Sequence, residues 1–191
     1  MQNIFFEMTE YAKKIESLAA NGGTDEIFYN SYDYHALIVL KNLVKNATDY
    51  IKSICGNMCS DVSNDPEYIE LVKKFLEGDS KRKFKILFDD KYKDDFLQRP
   101  IAKIFSKYPK QVEIRRLNND GYIQYEGKQI HLTVSDDRAF RCETDVENKM
   151  AWGNFKSPKQ AQGFSAAFDK FYTDSYSSII DLPTLKPIAN C

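Results

Sequence analysis

The sequence predicts a single α/β domain built on a mixed, mainly parallel sheet sandwiched between helices. Two observations carry the prediction. From residue 31 onward, segments with apolar residues every three or four positions alternate with short apolar strands. Helices placed between strands imply right-handed crossovers and a sheet covered on both faces. The second half switches to short alternating strands separated by turn residues, which adds hairpins to that sheet. A chain of 191 residues accommodates one such core without a second domain.

In order, Ile4, Phe5, Met8, Tyr11, Ala12, Ile15 and Ala19 recur at helical spacing and Asn21-Gly22-Gly23 ends that helix. A short aromatic connector follows. Ala36, Leu37, Leu40, Leu43, Val44 and Ala47 mark a second helix up to Asn46, and Tyr50–Cys55 reads as a strand closed by Gly56. Asp65-Pro66-Glu67 supplies an N-cap, a proline at the first helical position and an acid suited to the helix dipole, and the helix runs to Gly78. Phe84, Ile86 and Phe88 alternate in a strand ending at Asp89-Asp90, Pro100 opens a further helix, and Val112 and Ile114 mark the next strand. Tyr122–Tyr125, Gln129–Ser135 and Ala139–Glu143 are short strands. Ser157-Pro158 begins a last amphipathic helix, and Pro183 and Pro187 make the tail irregular.

Composition narrows the function classes. Lys+Arg 27 against Asp+Glu 28 gives a net charge of −1, so no global positive field attracts nucleic acid or anionic lipid. Local basic runs at Lys81–Lys85 and at Arg115-Arg116 give nucleic-acid binding only weak support. The first residues have no basic, then apolar, leader pattern and no stretch reaches the ~20 apolar residues of a membrane span, so a cytoplasmic protein without membrane contact is expected. Four cysteines at 55, 59, 142 and 191 lack zinc-ligand spacing and read as reduced thiols. Phosphate-cradling, dinucleotide and nucleophile-elbow motifs are absent from the sequence, and neither a metal nor another cofactor is expected.

The segment around His131 carries the chemical information. Side chains alternate with period two, so Ile130, Leu132 and Val134 share one face and His131, Thr133 and Ser135 the other. A three-residue loop, Asp136–Arg138, then sends Phe140 and Cys142 to the core and Arg141 and Glu143 to the polar side; a two-residue loop would mix the faces. The longer loop groups His131, Thr133, Arg141 and Glu143 on one partly exposed surface, able to bind an anion or to pair internally.

Here the chain resembles the phospholipase D-like (HKD) superfamily, whose motif runs His-x-Lys, then an aspartate, then Gly and Asn after the next strand. The matching residues are His131-Leu132-Thr133, Asp136-Asp137-Arg138 and Gly153-Asn154, and the order of elements is similar from about Ser31 to Ser178. The resemblance divides the chain into an N-terminal helix and connector (1–30), a phospholipase D-like domain (31–180) and an irregular tail (181–191). It is a degenerate match. Thr133 stands where the family has lysine, Arg138 where it has aspartate, and the chain carries one copy of a motif that active enzymes use in pairs. In those enzymes the histidine attacks phosphorus and the lysines hold the phosphoryl oxygens.

The resemblance therefore implies a non-catalytic binding or assembly module. Small degenerate members suggest a subunit of a prokaryotic defence, antiviral or mobile-element system. The alternative is a divergent homodimeric phosphodiesterase or nuclease in which His131 is the catalytic residue. Thr133, Arg141, Glu143, Lys149 and Asn154 are the candidate binding residues in either case, with a protein partner, a second copy of the chain or a phosphate-bearing ligand as the expected partners.

Overall fold

In a computed structural model, residues 2–89, 92–118 and 122–182 are described, with side chains from residue 6 onward except Ser60. Among the described residues, ten strands and six helices keep the predicted order, with α3, β1, β9 and β10 added to it. The helices are α1 (Gln2–Ala19), α2 (Asp33–Asn46), α3 (Ser60–Ser63), α4 (Pro66–Gly78), α5 (Pro100–Phe105) and α6 (Pro158–Phe171). The strands are β1 (Phe28–Asn30), β2 (Tyr50–Cys55), β3 (Lys83–Phe88), β4 (Val112–Leu117), β5 (Gln124–Tyr125), β6 (Lys128–Gln129), β7 (His131–Ser135), β8 (Ala139–Asp145), β9 (Met150–Asn154) and β10 (Ser177–Ile179).

Eight strands form one mixed sheet in the order β1-β9-β8-β7-β2-β3-β4-β10, while β5 and β6 make a separate small hairpin. Only its centre, β2-β3-β4, is parallel; β7, β8 and β9 meander antiparallel from one side of β2, and β10 pairs antiparallel with β4. The expectation of a mainly parallel sheet thus holds for the crossover half alone. Hairpins reverse direction at every turn, and the second half of the chain contributes more strands than the first.

The local signals act as the sequence implies. Asp65 caps α4 by accepting from the Tyr68 backbone N–H at 2.7 Å, and Lys41 of α2 pairs with Asp65 and Glu67 at 3.0 and 2.7 Å. The two largest of three buried clusters lie on opposite faces of the sheet. On one, Ile51, Phe84, Ile86, Phe88 and Ile114 meet Val44, Val72, Phe75 and Phe105 of α2, α4 and α5. On the other, Ile54, Leu132, Val134, Phe140 and Cys142 meet Ala161 and Phe168 of α6.

Three short strands were not anticipated. The aromatic connector forms β1, which pairs with β9; the Gly153-Asn154 segment is the end of β9; and β10 adds to the other edge beside β4. The three residues of β1 and of β10 are too few for a period-two pattern to emerge, so their strand character comes from the neighbours that offer free hydrogen-bonding edges. At the predicted tail, residues 181 and 182 are irregular, and Pro183, Pro187 and Cys191 lie outside the described residues, as does Asp90.

Candidate functional site

The β7–β8 turn has the longer loop: Ser135 faces Ala139, Thr133 faces Arg141 and His131 faces Glu143. Asp136 and Asp137 both take positive φ, 53° and 47°, and the Arg138 N–H closes the turn onto the Ser135 carbonyl at 3.1 Å. Ser53 of β2 is placed opposite Thr133 by the β2–β7 pairing, so one polar row crosses β2, β7 and β8. The row is not an open surface. Helix α2 and the segment after β2 cover it, leaving Thr133 and Arg141 buried.

This row floors a cavity of about 530 Å³ whose walls include Ala36, Leu40, Met58, Val62 and Val146, with Lys93, Arg99 and Lys149 also lining it. It lies at the carboxyl end of β2, where the crossover strands β2-β3-β4 meet the antiparallel β7. Open α/β sheets concentrate ligand sites at such places.

His131 is held from both sides. Its Nδ1 lies 2.9 Å from Glu143 Oε2, and its Nε2 lies 3.1 Å from Oδ2 of Asp89, which follows β3 and is 1% exposed. Gln129 donates to the same Asp89 oxygen at 2.7 Å. Burial works to lower the His131 pKa, but the bonds to Asp89 and Glu143 outweigh it and raise it above the ordinary imidazole value. Burial likewise works to raise the pKa of Glu143, and the His131 bond and Arg141 charge outweigh it to leave it below the ordinary value.

Arg141 is fixed at two points. Its Nε donates to Asn30 Oδ1 at 3.0 Å and its Nη2 to Glu143 Oε1 at 3.0 Å. Its Nη1 donates to none of the described residues. Ser53 and Thr133 hydroxyls share a 3.1 Å hydrogen bond, so the lysine position holds a hydroxyl satisfied within the protein.

Of the residues singled out from the sequence, His131, Thr133, Arg141, Glu143 and Lys149 all line this cavity. Asn154 does not. It is buried near α1, where its amide donates to Asp25 at 3.0 Å and its carbonyl accepts the Lys156 N–H at 2.7 Å, so its role is to shape the turn into α6. Gly153 is required by packing: a Cβ there would sit 2.3 Å from the Phe140 carbonyl oxygen and 2.4 Å from the Phe28 ring. Asp89, Asn30 and Ser53 were missed as site residues. The sequence marks Asp89 only as the end of a strand, and only the position of β3 and β7 on either side of β2 reveals its partner.

At the cavity rim, Asp33, Cys59 and Asp61 bring one potential metal-ligand atom each within 4.8 Å of one another, a grouping that sequence spacing does not display. Lys149 donates to Asp33 and supplies a cation there. Cys55 and Cys142 are both pushed up to about 12, first by burial, which keeps them as thiols. Cys55, Cys59 and Cys142 are all unbridged. Among the described residues no helix is long and apolar enough to cross a membrane.

No protein-family model matches the chain, and no curated protein matches it in sequence. Solved structures do. TrmBL2, an archaeal chromatin protein described as showing a novel mode of DNA binding, is similar with a TM-score of 0.56 at 13% identity, over 92% of this chain and 63% of that one. The present chain thus spans less than two thirds of that protein's length. NucT from Helicobacter pylori is similar with a TM-score of 0.55 at 12% identity, over 77% of this chain and 95% of that one. Phosphatidylserine synthase from Haemophilus influenzae Rd KW20 aligns with a TM-score of 0.48 at 11% identity, over 81% of this chain and 39% of that one. At these identities the first two likenesses speak for fold alone, a single mixed α/β domain with a large mixed sheet flanked by helices.

Proposed function

We propose that the chain is a non-catalytic binding module of phospholipase D-like fold, whose cavity holds a small phosphate-bearing ligand without cleaving it. The observation that carries this reading is the position of His131 between Asp89 and Glu143. Two carboxylate partners favour N–H donors on both ring nitrogens, so these contacts stabilise the imidazolium and raise the ring's pKa. An imidazolium has no free nitrogen lone pair and cannot attack phosphorus. The replacement of the family's lysine by Thr133 removes one preorganised charge, a loss worth on the order of 10²–10³ in rate for a comparable donor.

Binding is better supported than chemistry. Arg141 is buried, oriented by Asn30 and Glu143, and keeps Nη1 for a ligand in the cavity it lines. Lys93 and Arg141 supply positive charge to the lining, where Arg99, Lys149 and His131 are paired with Asp95, Asp33 and the Asp89/Glu143 carboxylates, and the apolar wall suits the body of an organic phosphate.

The test pairs turnover with binding. A generic phosphodiester such as bis(p-nitrophenyl) phosphate is incubated with wild type and His131→Ala, and binding of sn-glycerol 3-phosphate and inorganic phosphate is measured by calorimetry for wild type and Arg141→Lys. Equal inactivity of both proteins, with binding weakened at least tenfold in Arg141→Lys, supports the proposal. Metal-independent turnover that vanishes in His131→Ala replaces it with the homodimeric phosphodiesterase. Absence of binding by either phosphate compound removes the ligand from it.

A further inference from the structure

The β8–β9 hairpin reaches over the cavity that the polar row floors. Its tip, residues 145–150, brings Val146 and Lys149 into the cavity lining, and Asp33 at the start of α2 and Cys59 after β2 line it as well. Lys149 donates to Asp33 across that mouth, a contact between residues 116 positions apart. Asp33, Cys59 and Asp61 all act electrostatically on its ammonium, so the tip carries one cation into an anionic stretch of the rim. Among the described residues this pair is the tip's side-chain tie to α2.

The tip has the makings of a unit that moves as a whole. Asn148 donates its backbone N–H and its side-chain amide to the Asp145 carboxylate, each at 2.9 Å, which closes the turn on itself. Behind the turn, the β8–β9 register shifts between Glu143 and Asp145, and on the other strand Lys149 takes a φ of 59°. Such an irregularity interrupts the ladder and lets the strand bend there. The tie itself is weak. The Lys149 and Asp33 side chains are 50% and 35% exposed, and pairs this open to water contribute little because solvent and salt screen them.

We propose that the β8–β9 hairpin tip is a gate over this cavity, latched by the Lys149–Asp33 ion pair and released when an incoming anion draws Lys149 away from Asp33. A phosphate offers the ammonium the same kind of charge-assisted acceptor that Asp33 does. Entry of the ligand therefore exchanges one partner of Lys149 for another and never leaves the cation unpaired. The trigger rests on the anion-binding reading of the cavity, whereas the motion is measured without ligand, so the two fail separately.

Cys55 lines the same cavity, and Cys142 is buried in the cluster on the opposite face of the sheet, where its labelling reports unfolding. The full chain is treated with methyl methanethiosulfonate, a small neutral thiol reagent, and each cysteine is followed by peptide mass spectrometry in wild type, Asp33→Ala and Lys149→Gln. Cys55 should be labelled at least threefold faster in both variants, with Cys142 unlabelled throughout. A purely electrostatic effect on the thiol would move the two variants in opposite directions, since one loses a negative charge and the other a positive one. In the wild type, raising NaCl should also speed Cys55 labelling, a readout that stands even if a variant fails to fold. A Cys55 rate unmoved by salt in the wild type, or not raised in either one of the folded variants, would overturn the gate. Calorimetry with inorganic phosphate reads the trigger: binding should tighten in Asp33→Ala, where no carboxylate competes for Lys149, and weaken in Lys149→Gln. Equal binding in all three proteins would overturn the trigger. Faster Cys55 labelling without phosphate binding in any of them would keep the gate and overturn the anion-binding reading.

Discussion

Nε2 of His131 and Oδ2 of Asp89 lie 3.1 Å apart, joining residues 42 positions distant in the chain across the ends of β3 and β7. With Glu143 on the other ring nitrogen, this contact raises the His131 pKa and favours the protonated ring over the nucleophilic one. The same contact makes the site accessible to measurement.

The chain contains two histidines, and their environments push them in opposite directions. His131 titrates above 6.5, its carboxylate bonds outweighing burial, and His35 titrates below 6.5 because burial dominates. Imidazole resonances followed by NMR across the neutral range should show two midpoints on either side of that value. Removal of the higher one by His131→Gln assigns it; loss of the lower one instead contradicts the geometry.

Stability should depend on pH in a defined window. A histidine whose folded pKa is raised contributes stability that is complete below its unfolded value of 6.5 and disappears as pH rises through the folded value. Glu143, depressed in the fold, contributes above its unfolded value of 4.5 and loses that contribution as pH falls through its folded value. The network is therefore complete between 4.5 and 6.5. Urea midpoints of wild type minus those of His131→Gln should be largest there and shrink as pH is raised. A flat difference would mean that the carboxylates do not hold the ring.

Arg141 and Glu143 form a buried pair, their side chains 7% and 12% exposed. Arg141→Met leaves Glu143 with His131 as its remaining charged partner and should cost about 3 kcal/mol in chemical denaturation. Adding Glu143→Gln should recover part of that loss, because the uncompensated charge is gone. A fully additive double variant would show that the two side chains are not coupled.

Asp136 is a backbone clamp. Its carboxylate accepts the N–H groups of Thr48, Asp49 and Tyr50 at 2.7, 2.9 and 2.9 Å, together with the Thr48 hydroxyl at 3.1 Å. Asp136→Ala should cost about 3 kcal/mol, since it strands several donors and places alanine at a φ of 53°. Asp136→Asn, which keeps one acceptor oxygen and tolerates that φ, should cost roughly half as much. Denaturation midpoints of the two variants check the ordering.

Gly153→Ala should destabilise the fold by about 1–3 kcal/mol by overpacking, because the Phe140 carbonyl is backbone and cannot move aside. The loss should appear in the thermal midpoint without any change in the His131 resonances, since Gly153 lies outside the cavity's lining.

The sequence by itself determined the helices other than the one-turn α3, the parallel strands and the β7–β8 register. These are properties of neighbouring residues: the Asp65-Pro66 start of α4, the alternation in Phe84, Ile86 and Phe88, and the requirement that Leu132, Val134, Phe140 and Cys142 share a face. That register also grouped His131, Thr133, Arg141 and Glu143 correctly. What only the tertiary structure decided was the partner of each polar group and its exposure. Asp89 reaches His131 because β3 and β7 flank β2, Asn30 reaches Arg141 because β1 adds to β9 at the sheet edge, and α2 converts an expected open face into a cavity floor. Such contacts join residues 42 to 111 positions apart, where no local periodicity operates. The chain's own chemistry selects helix and strand locally, but the protonation state of His131 is set by carboxylates that folding alone brings to it.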